Sequence, residues 1–301
     1  MAASRFPNSM SGTSVQELRA MLAANTIPPT TEIYERFDLR VPSAEGGVPV
    51  RVYRPGPETN LPVVQWQHSG GFVVGGLDQN DEYLRKLSNA ARVVVVSVDY
   101  RLAPEHRYPA ALEDARTVWD WLRAGPPEVT ADTSIAALAG ESAGGTLTLS
   151  LSQQLKDTGG ILPDAQISFY GTAETRVSNP EYSTSLLTPE DCEWFWDQYV
   201  PDVDSRTGPY VSPARAVDLT GLPPTMIATA EVDPTRDATE AYASRLGAAG
   251  VPVEMRRYDG MMHGFATMTG ALPPAAALFE RTVDFIVRTL HQRDHNESEK
   301  V

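Results

Sequence analysis

Short apolar segments alternate with amphipathic ones along this chain, and that alternation limits the fold more than any other feature. The clearest apolar segment, 93–98, is Val-Val-Val-Val-Ser-Val, with β-branched residues on both faces. A strand that is apolar on both faces is typical of the interior of a parallel sheet. Strands are predicted at 32–40, 48–54, 63–67, 93–98, 135–139, 165–170, 225–230 and 253–258, and helices at 82–91, 109–123, 146–156, 237–249 and 275–290. The pattern predicts an α/β fold, a mostly parallel central sheet with helices on both faces.

One long segment breaks the alternation. Residues 172–222 are rich in Pro, Asp and aromatic residues and lie between two predicted sheet strands. Connections of this length inside a compact domain are usually functional. We therefore expect a helical cap over the carboxyl edge of the sheet, formed by 172–222 with a contribution from the N-terminal segment 1–40, where Ser14 caps a short helix. The predicted core comprises 41–171 and 223–290, and the polar tail 291–301 is expected to fray.

Composition excludes several classes of function. The 25 Lys and Arg residues against 39 Asp and Glu give a net charge of −14, and the cations form no cluster, so we expect neither a nucleic-acid nor an anionic-membrane partner. The single cysteine, Cys192, allows no intramolecular disulfide, which fits a reducing compartment. No segment is apolar enough to span a bilayer, and residues 1–14 lack the apolar region of a secretory signal. The expected protein is soluble and cytoplasmic.

A candidate nucleophile follows the predicted strand 135–139. The segment Gly140-Glu141-Ser142-Ala143-Gly144 fits the pattern G-x-S-x-G, and a predicted helix comes after it. On such a strand-to-helix turn the flanking glycines let the backbone pack closely while the serine hydroxyl is exposed. The alternative is a glycine-rich helix start with a capping serine. The strand before Ser142 and the helix after it favour the nucleophile.

A nucleophilic serine needs a base and an acid that orients the base. Asp233 comes just after the predicted strand 225–230, and His263 comes after the last strand. Open α/β sheets bind ligands at the carboxyl ends of their strands, where both residues are expected. Taken singly, Asp233 could be a helix cap and His263 an ordinary loop residue. The order Ser, Asp, His along the chain is the one that the α/β-hydrolase fold imposes.

Candidate oxyanion donors follow the strand 63–67, in His68-Ser69-Gly70-Gly71. Consecutive glycines there would present the N–H groups of Gly70 and Gly71 to a developing oxyanion, together with the N–H group of Ala143. The alternative is a phosphate-binding loop, but the spacing of these glycines fits neither phosphate-binding motif. His68 is expected to brace the loop, and no metal site is predicted because no second ligand stands near it.

Five motifs then occur in a recognisable order. They are His68-Ser69-Gly70-Gly71, Asp99-Tyr100-Arg101-Leu102-Ala103-Pro104-Glu105, Gly140-Glu141-Ser142-Ala143-Gly144-Gly145, Asp233-Pro234-Thr235-Arg236-Asp237 and His263-Gly264-Phe265. Together they resemble the hormone-sensitive-lipase-like family of α/β-hydrolases, the family IV carboxylesterases, from about residue 49 to 290. The resemblance implies an α/β-hydrolase fold with a cap and a catalytic triad of Ser142, Asp233 and His263. It also implies an oxyanion hole formed by Gly70, Gly71 and Ala143, and no cofactor.

The sequence departs from the family at two motif positions. Ser69 stands where the family has its first glycine, and Glu141 stands before the nucleophile where Asp is common. The segment 172–222 matches no motif, so its aromatic residues are open to two interpretations. Trp194, Phe195 and Tyr199, with their neighbour Trp196, either wall a substrate pocket or only pack a cap helix onto the sheet.

The function that the sequence predicts is a serine carboxylesterase that hydrolyses short-to-medium acyl esters through an acyl-enzyme intermediate. A lactonase or acyltransferase of secondary metabolism would use the same triad and stays open as an alternative. A non-enzymatic small-molecule receptor is disfavoured, because the family's hormone receptors have lost the catalytic histidine and its dehydratases replace the serine, whereas this chain has both. The expected partner is a small-molecule ester. The family often forms homodimers through an edge strand, which this sequence does not decide.

Overall fold

The computed structural model describes residues 10–177, 179, 182 and 186–291. Within them lies one eight-stranded sheet in the order β1-β2-β4-β3-β5-β6-β7-β8. The strands are β1 Glu35–Val41, β2 Val48–Arg54, β3 Pro62–Gln67, β4 Val94–Val98, β5 Asp132–Glu141, β6 Ala165–Phe169, β7 Thr225–Val232 and β8 Val253–Met262. The α-helices are α1 Val15–Asn25, α2 Asp81–Ala91, α3 Ala110–Arg123, α4 Ala143–Asp157, α5 Pro189–Tyr199, α6 Arg236–Ala248 and α7 Pro273–Ile286.

The sheet is parallel except at one end. Strand β2 pairs antiparallel with both β1 and β4, whereas every pair from β4 across to β8 is parallel. The carboxyl ends of β3, β5, β7 and β8 therefore meet at the same edge of the sheet. The predicted mostly parallel α/β fold is confirmed.

The central strands of the sheet are buried on both faces, as the Val-rich segment of β4 predicts. Val94, Val96 and Val98 belong to a hydrophobic cluster that includes α3 and α4, and Val95 belongs to a second cluster on the other face that includes α2 and α7. Alternate residues of one strand therefore enter two different cores. The sequence pattern predicted a sheet between two layers of helices correctly, because a strand buried on both faces is apolar at successive positions.

Several element boundaries differ from the prediction. Helix α4 begins at Ala143 rather than at 146, and β8 continues past 258 through Gly260 to Met262. Glycine lowers the apparent propensity of both segments. Strand β8 is irregular at Gly260, which has a φ of 70°, and pairs with β7 again at Met262. The predicted tail 291–301 lies outside the described residues apart from His291, as do residues 1–9 of the N-terminal segment.

Hydrogen bonds connect the segment before helix α1 to the first turn of helix α5. Helix α1 and helix α5, which lies within the predicted cap 172–222, each begin with a capping box. The carboxylate of Asp191, in the first turn of α5, also accepts the backbone N–H groups of Met10 and Ser11 at 2.8 and 3.1 Å. This contact is consistent with a cap built from both segments. The division into core and cap stays a prediction.

Helix α4 packs unusually close to the end of β3. A Cβ atom built on Gly144 would lie 2.0 Å from the carbonyl oxygen of Gln67 and 2.5 Å from that of His68. Backbone atoms cannot yield as a flexible side chain can. Only glycine therefore allows α4 to start where it does.

This contact predicts different effects for two glycine substitutions. Gly144→Ala should lower the free energy of unfolding by about 1–3 kcal/mol or more, because the added methyl group overpacks the backbone. Gly247→Ala, in α6, is the matched control, because its Cβ would meet nothing within 4 Å and should leave stability unchanged or raise it. Urea denaturation of both variants measures the difference. Equal stabilities would contradict the close approach.

Candidate active site

Ser142 occupies a strained turn between β5 and α4. Its backbone has φ 55° and ψ −120°, a conformation that costs a non-glycine residue on the order of 1–3 kcal/mol. The N–H group of Ser142 donates to the carbonyl of Phe169 at 2.8 Å, which holds the turn onto β6. The side chain is thereby turned out of the sheet at the carboxyl end of β5.

The imidazole of His263 joins Ser142 to Asp233. Its Nε2 atom lies 2.7 Å from Ser142 Oγ, and its Nδ1 atom lies 2.7 Å from Asp233 Oδ2. The other oxygen of Asp233 accepts hydrogen bonds from the backbone N–H and the hydroxyl of Thr235 at 2.9 and 2.8 Å. The structure brings the three predicted triad residues into one hydrogen-bonded chain. Asp237 instead pairs with Arg236 and Asn179.

The charge of Asp233 is stabilised although its side chain is buried. Burial by itself raises the pKa of this carboxyl, but the facing His263 and the two donors of Thr235 outweigh burial, so the pKa lies below its ordinary value. An ionised Asp233 accepts the Nδ1–H proton of His263. The Nε2 atom is then left as an acceptor for the hydroxyl proton of Ser142.

The glycine loop after β3 faces the same cavity as Ser142. Gly70 and Gly71 have φ values of 119° and 60°, and a Cβ atom on Gly70 would lie 2.0 Å from the carbonyl oxygen of Val74. In the part of the chain that the structure describes, no acceptor faces the N–H groups of Gly70, Gly71 or Ala143. All three residues line the cavity with Ser142 and His263. Three unengaged N–H groups beside a serine hydroxyl suit the binding of an oxyanion.

The residues before these glycines support the loop. The His68 ring is fully buried and stacks on Tyr100 with 4.1 Å between centroids, and the Tyr100 hydroxyl donates to the His68 carbonyl at 2.8 Å. Burial lowers the pKa of His68 to about 4, so the ring is neutral at ordinary pH. Ser69 Oγ accepts a hydrogen bond from Gln79 Nε2 at 2.6 Å. Neither His68 nor any other described residue belongs to a cluster of His, Cys, Asp and Glu side chains that suits a metal ion.

The cavity beside Ser142 has a volume of about 320 Å³ and a mostly apolar lining. Its apolar wall comes from α1, from the segment that contains α5 and from the residues after His263. These side chains are Leu18, Leu22, Leu187, Cys192, Phe195, Trp196 and Met268. The sequence signal for Leu18 and Leu22 is their spacing of four residues in the predicted helix after Ser14, which places them on one face. The positions of Leu187 and Met268 had no signal, because they depend on how distant loops fold over the sheet.

The aromatic residues of α5 divide between the two interpretations. Phe195 and Trp196 line the cavity, in keeping with the first interpretation. The prediction needs correction at Trp194 and Tyr199, which do not line the cavity: the Trp194 ring packs against Phe195, and the Tyr199 ring stacks on Phe72, which itself lines the cavity. Because α5 turns by 100° per residue, neighbouring aromatic side chains must face different surroundings.

Glu141 organises a polar network that the sequence did not reveal. Its buried carboxylate accepts hydrogen bonds from Asn80 Nδ2 at 3.0 Å and from the Tyr170 hydroxyl at 2.8 Å. The Tyr170 hydroxyl in turn accepts the N–H group of Ala266 at 3.1 Å, and the Tyr170 ring lies 4.7 Å from that of His263. The network therefore links the serine turn to the loop that carries His263. In the sequence Glu141 was notable only as a family variant, since its partners lie far away along the chain.

Comparisons with known proteins agree with this geometry. Residues 64–267 match a protein family described as alpha/beta hydrolase fold. A carboxylesterase, NlhH, of Mycobacterium tuberculosis is 37% identical over 92% of this chain and 90% of its own length. The ethyl acetate hydrolase of Pseudomonas putida is 33% identical over 79% of this chain and 78% of its own. The solved structure of a Pyrobaculum calidifontis esterase superposes with a TM-score of 0.88 at 32% identity, covering 94% of this chain and 96% of that one.

The buried state of Glu141 predicts a pH-dependent stability. Burial raises the pKa of Glu141, and its hydrogen bonds from Tyr170 and Asn80 offset only part of this effect. When the pKa of a carboxyl is higher in the folded than in the unfolded state, its contribution to the free energy of unfolding is lost as pH rises through the folded pKa. Glu141→Gln cannot ionise. Its free energy of unfolding should therefore improve relative to the unmodified protein as pH rises from about 4 to 8.

Urea denaturation across this pH range provides the measurement. Glu128→Gln, at an exposed position before β5, serves as the control. If the free energy of unfolding changed with pH in the same way for Glu141→Gln and the unmodified protein, the raised pKa of Glu141 would be refuted.

Proposed function

The chain belongs to the α/β-hydrolase family, and from this premise we propose that it is a serine carboxylesterase with Ser142 as nucleophile. The observation that carries the proposal is the continuous hydrogen-bonded chain from Ser142 through His263 to Asp233, with both contacts at 2.7 Å. The relatives named carboxylesterase, esterase and ethyl acetate hydrolase support ester hydrolysis as the reaction.

The first half of the proposed reaction acylates Ser142. His263 Nε2 takes the hydroxyl proton as Oγ attacks the ester carbonyl, and Asp233 stabilises the imidazolium through Nδ1–H. The carbonyl oxygen becomes an oxyanion, which the N–H groups of Gly70, Gly71 and Ala143 bind. Collapse of this tetrahedral intermediate breaks the ester C–O bond. His263 then gives the proton to the departing alcohol.

The second half releases the acid. Water enters the position that the alcohol has left, and His263 again acts as base while the water oxygen attacks the acyl carbon. The C–O bond to Ser142 breaks, and the serine recovers its proton from His263. Each step uses only the side chains and N–H groups described above, so the proposal involves no cofactor.

The cavity supports a bounded apolar substrate. A volume of about 320 Å³ with an apolar lining suits short-to-medium acyl esters better than long chains. A lactonase or acyltransferase using the same triad is not favoured, because the relatives above are named as esterases and hydrolases. The retained Ser142 and His263 likewise argue against a receptor.

Fewer observations bear on the cellular location and the oligomeric state of the protein. No helix in the described ranges is long and apolar enough to cross a membrane. A cytoplasmic location is our proposal, supported by the one cysteine, Cys192, which is buried and unpaired. A homodimer is suggested only by the family resemblance.

The nucleophile assignment predicts one site of covalent labelling. A fluorophosphonate should modify Ser142 alone, as mass spectrometry of a digest would report. Ser142→Ala should lower kcat on p-nitrophenyl butyrate by about 10⁴-fold or more while the protein still folds, because no acyl-enzyme can form. A labelled residue elsewhere, or an active Ser142→Ala protein, would disprove the assignment.

Two neighbouring acids provide a matched test of the triad. Asp233→Asn should lower kcat by about 10³–10⁴-fold, because an amide facing Nδ1 favours the wrong imidazole tautomer. Asp237→Asn should reduce kcat far less, since Asp237 contacts Arg236 and Asn179 and not His263. Steady-state kinetics of both variants on one ester ranks them. The opposite ranking would refute the role of Asp233.

A further inference from the structure

Phe72, which follows the glycine pair Gly70-Gly71, is held in an unfavourable backbone conformation. Its φ is 64°, in the left-handed region that non-glycine residues rarely occupy, and its side chain is buried. Such a conformation persists only when the surrounding structure determines it. The contacts around Phe72 therefore indicate what holds the loop in shape.

Helix α5 supplies most of these contacts. The Tyr199 ring stacks on the Phe72 ring, with 4.0 Å between centroids and 8° between planes. Trp196 packs against Phe72 at 5.4 Å. The Phe195 ring occupies the place where a Cβ atom of Gly71 would be, 2.2 Å from its nearest carbon. Three aromatic residues of one helix thus press on two successive residues of the loop.

Helix α1 holds the same loop from another side. Arg19 donates from Nε to the carbonyl of Val73 and from Nη2 to that of Ala103, both at 2.9 Å. The N–H group of Ala103 donates to the carbonyl of Phe72 at 2.8 Å. The Arg19 guanidinium is itself fixed by two hydrogen bonds to Glu105 at 2.9 and 2.8 Å. Helices α5 and α1 therefore both hold the segment that directly follows the glycines.

We propose that α5 positions the oxyanion donors of this enzyme, with Tyr199 as the positioning residue that holds Phe72 and thereby the N–H groups of Gly70 and Gly71. This inference rests on the proposed esterase function. Glycines have many accessible conformations, whereas oxyanion stabilisation requires donors that are fixed before the charge develops. Tyr199 supplies this rigidity without lining the cavity, whereas Phe72, on which it stacks, does line it.

The proposal distinguishes α5 from a simple pocket wall. A wall residue changes how well a large acyl or alcohol group binds, so its loss alters KM for bulky esters. A residue that positions donors alters the transition state, so its loss lowers kcat even for an acetate ester that needs little of the cavity. Loss of a positioning residue therefore weakens the binding of a tetrahedral adduct, which carries the oxyanion, much more than the binding of the planar ester substrate.

The test compares Tyr199→Leu, Tyr199→Phe and Trp194→Leu with the unmodified protein. Tyr199→Phe keeps the stacked ring, and Trp194→Leu removes an aromatic ring of α5 whose ring contact is with Phe195 and not with Phe72. For p-nitrophenyl acetate, Tyr199→Leu should lower kcat about 10–100-fold, below the 10²–10³-fold typical of losing a whole donor, with KM changed less than about threefold. Tyr199→Phe and Trp194→Leu should stay within about threefold of the unmodified kcat.

A transition-state analogue gives the decisive second measurement. An aliphatic trifluoromethyl ketone adds to Ser142 Oγ to form a tetrahedral oxyanion, so its inhibition constant should rise in Tyr199→Leu by about the same factor as kcat falls. An unchanged kcat in folded Tyr199→Leu, or a lower kcat with unchanged analogue affinity, would overturn the proposal. If Tyr199→Leu does not fold, Phe72→Leu removes the same stack from the loop side. Because Phe72 also lines the cavity, its KM is not used, and kcat on p-nitrophenyl acetate and the affinity for the analogue are expected to fall by the same factor.

The unmodified protein separates this inference from the function on which it rests. Absence of ester hydrolysis and of fluorophosphonate labelling at Ser142 would refute the esterase itself. An active, labelled protein in which Tyr199→Leu keeps its full kcat would refute only the positioning role.

Discussion

The close approach of helix α4 to the end of strand β3 is the constraint on which the site depends. Gly144 lies against the carbonyls of Gln67 and His68, and a Cβ atom on Gly140 would lie 2.3 Å from the carbonyl oxygen of Gly144. These contacts leave no room for side chains, and the turn between the two glycines places Ser142 at positive φ. The same contact brings the N–H group of Ala143 toward the loop that begins at His68. This single backbone contact therefore determines the position of Ser142 and the positions of the N–H donors beside it.

Two buried carboxylates, those of Asp233 and Glu141, lie near the turn of Ser142, and their environments differ. The pKa of Asp233 is lowered because His263 and the donors of Thr235 outweigh burial. The pKa of Glu141 is raised because burial outweighs the hydrogen bonds from Tyr170 and Asn80. Asp233 is thus suited to face a developing imidazolium. Glu141, one residue before Ser142, links the serine turn to the loop of His263 through Tyr170.

The helices outside the sheet layers do more than enclose a cavity. Helix α5 divides its aromatic side chains between the cavity, which Phe195 and Trp196 line, and the loop residue Phe72, on which Tyr199 stacks. Helix α1 contributes apolar side chains to the cavity and the Arg19 guanidinium to the loop backbone. Pocket shape and loop rigidity therefore depend on the same two helices.

The sequence by itself determined the fold and the triad candidates. Alternating apolar segments predicted the parallel sheet, because burial on two faces leaves a local pattern that β4 records. Ser142, Asp233 and His263 could be proposed because each follows a strand, and strand ends meet at one edge. Only the tertiary structure shows the contact of Asp233 with His263, the stacking of Tyr199 on Phe72 and the hydrogen bond from Tyr170 to Glu141. These pairs lie 29 to 127 positions apart, so no local pattern encodes them; the packing of whole elements brings the side chains together.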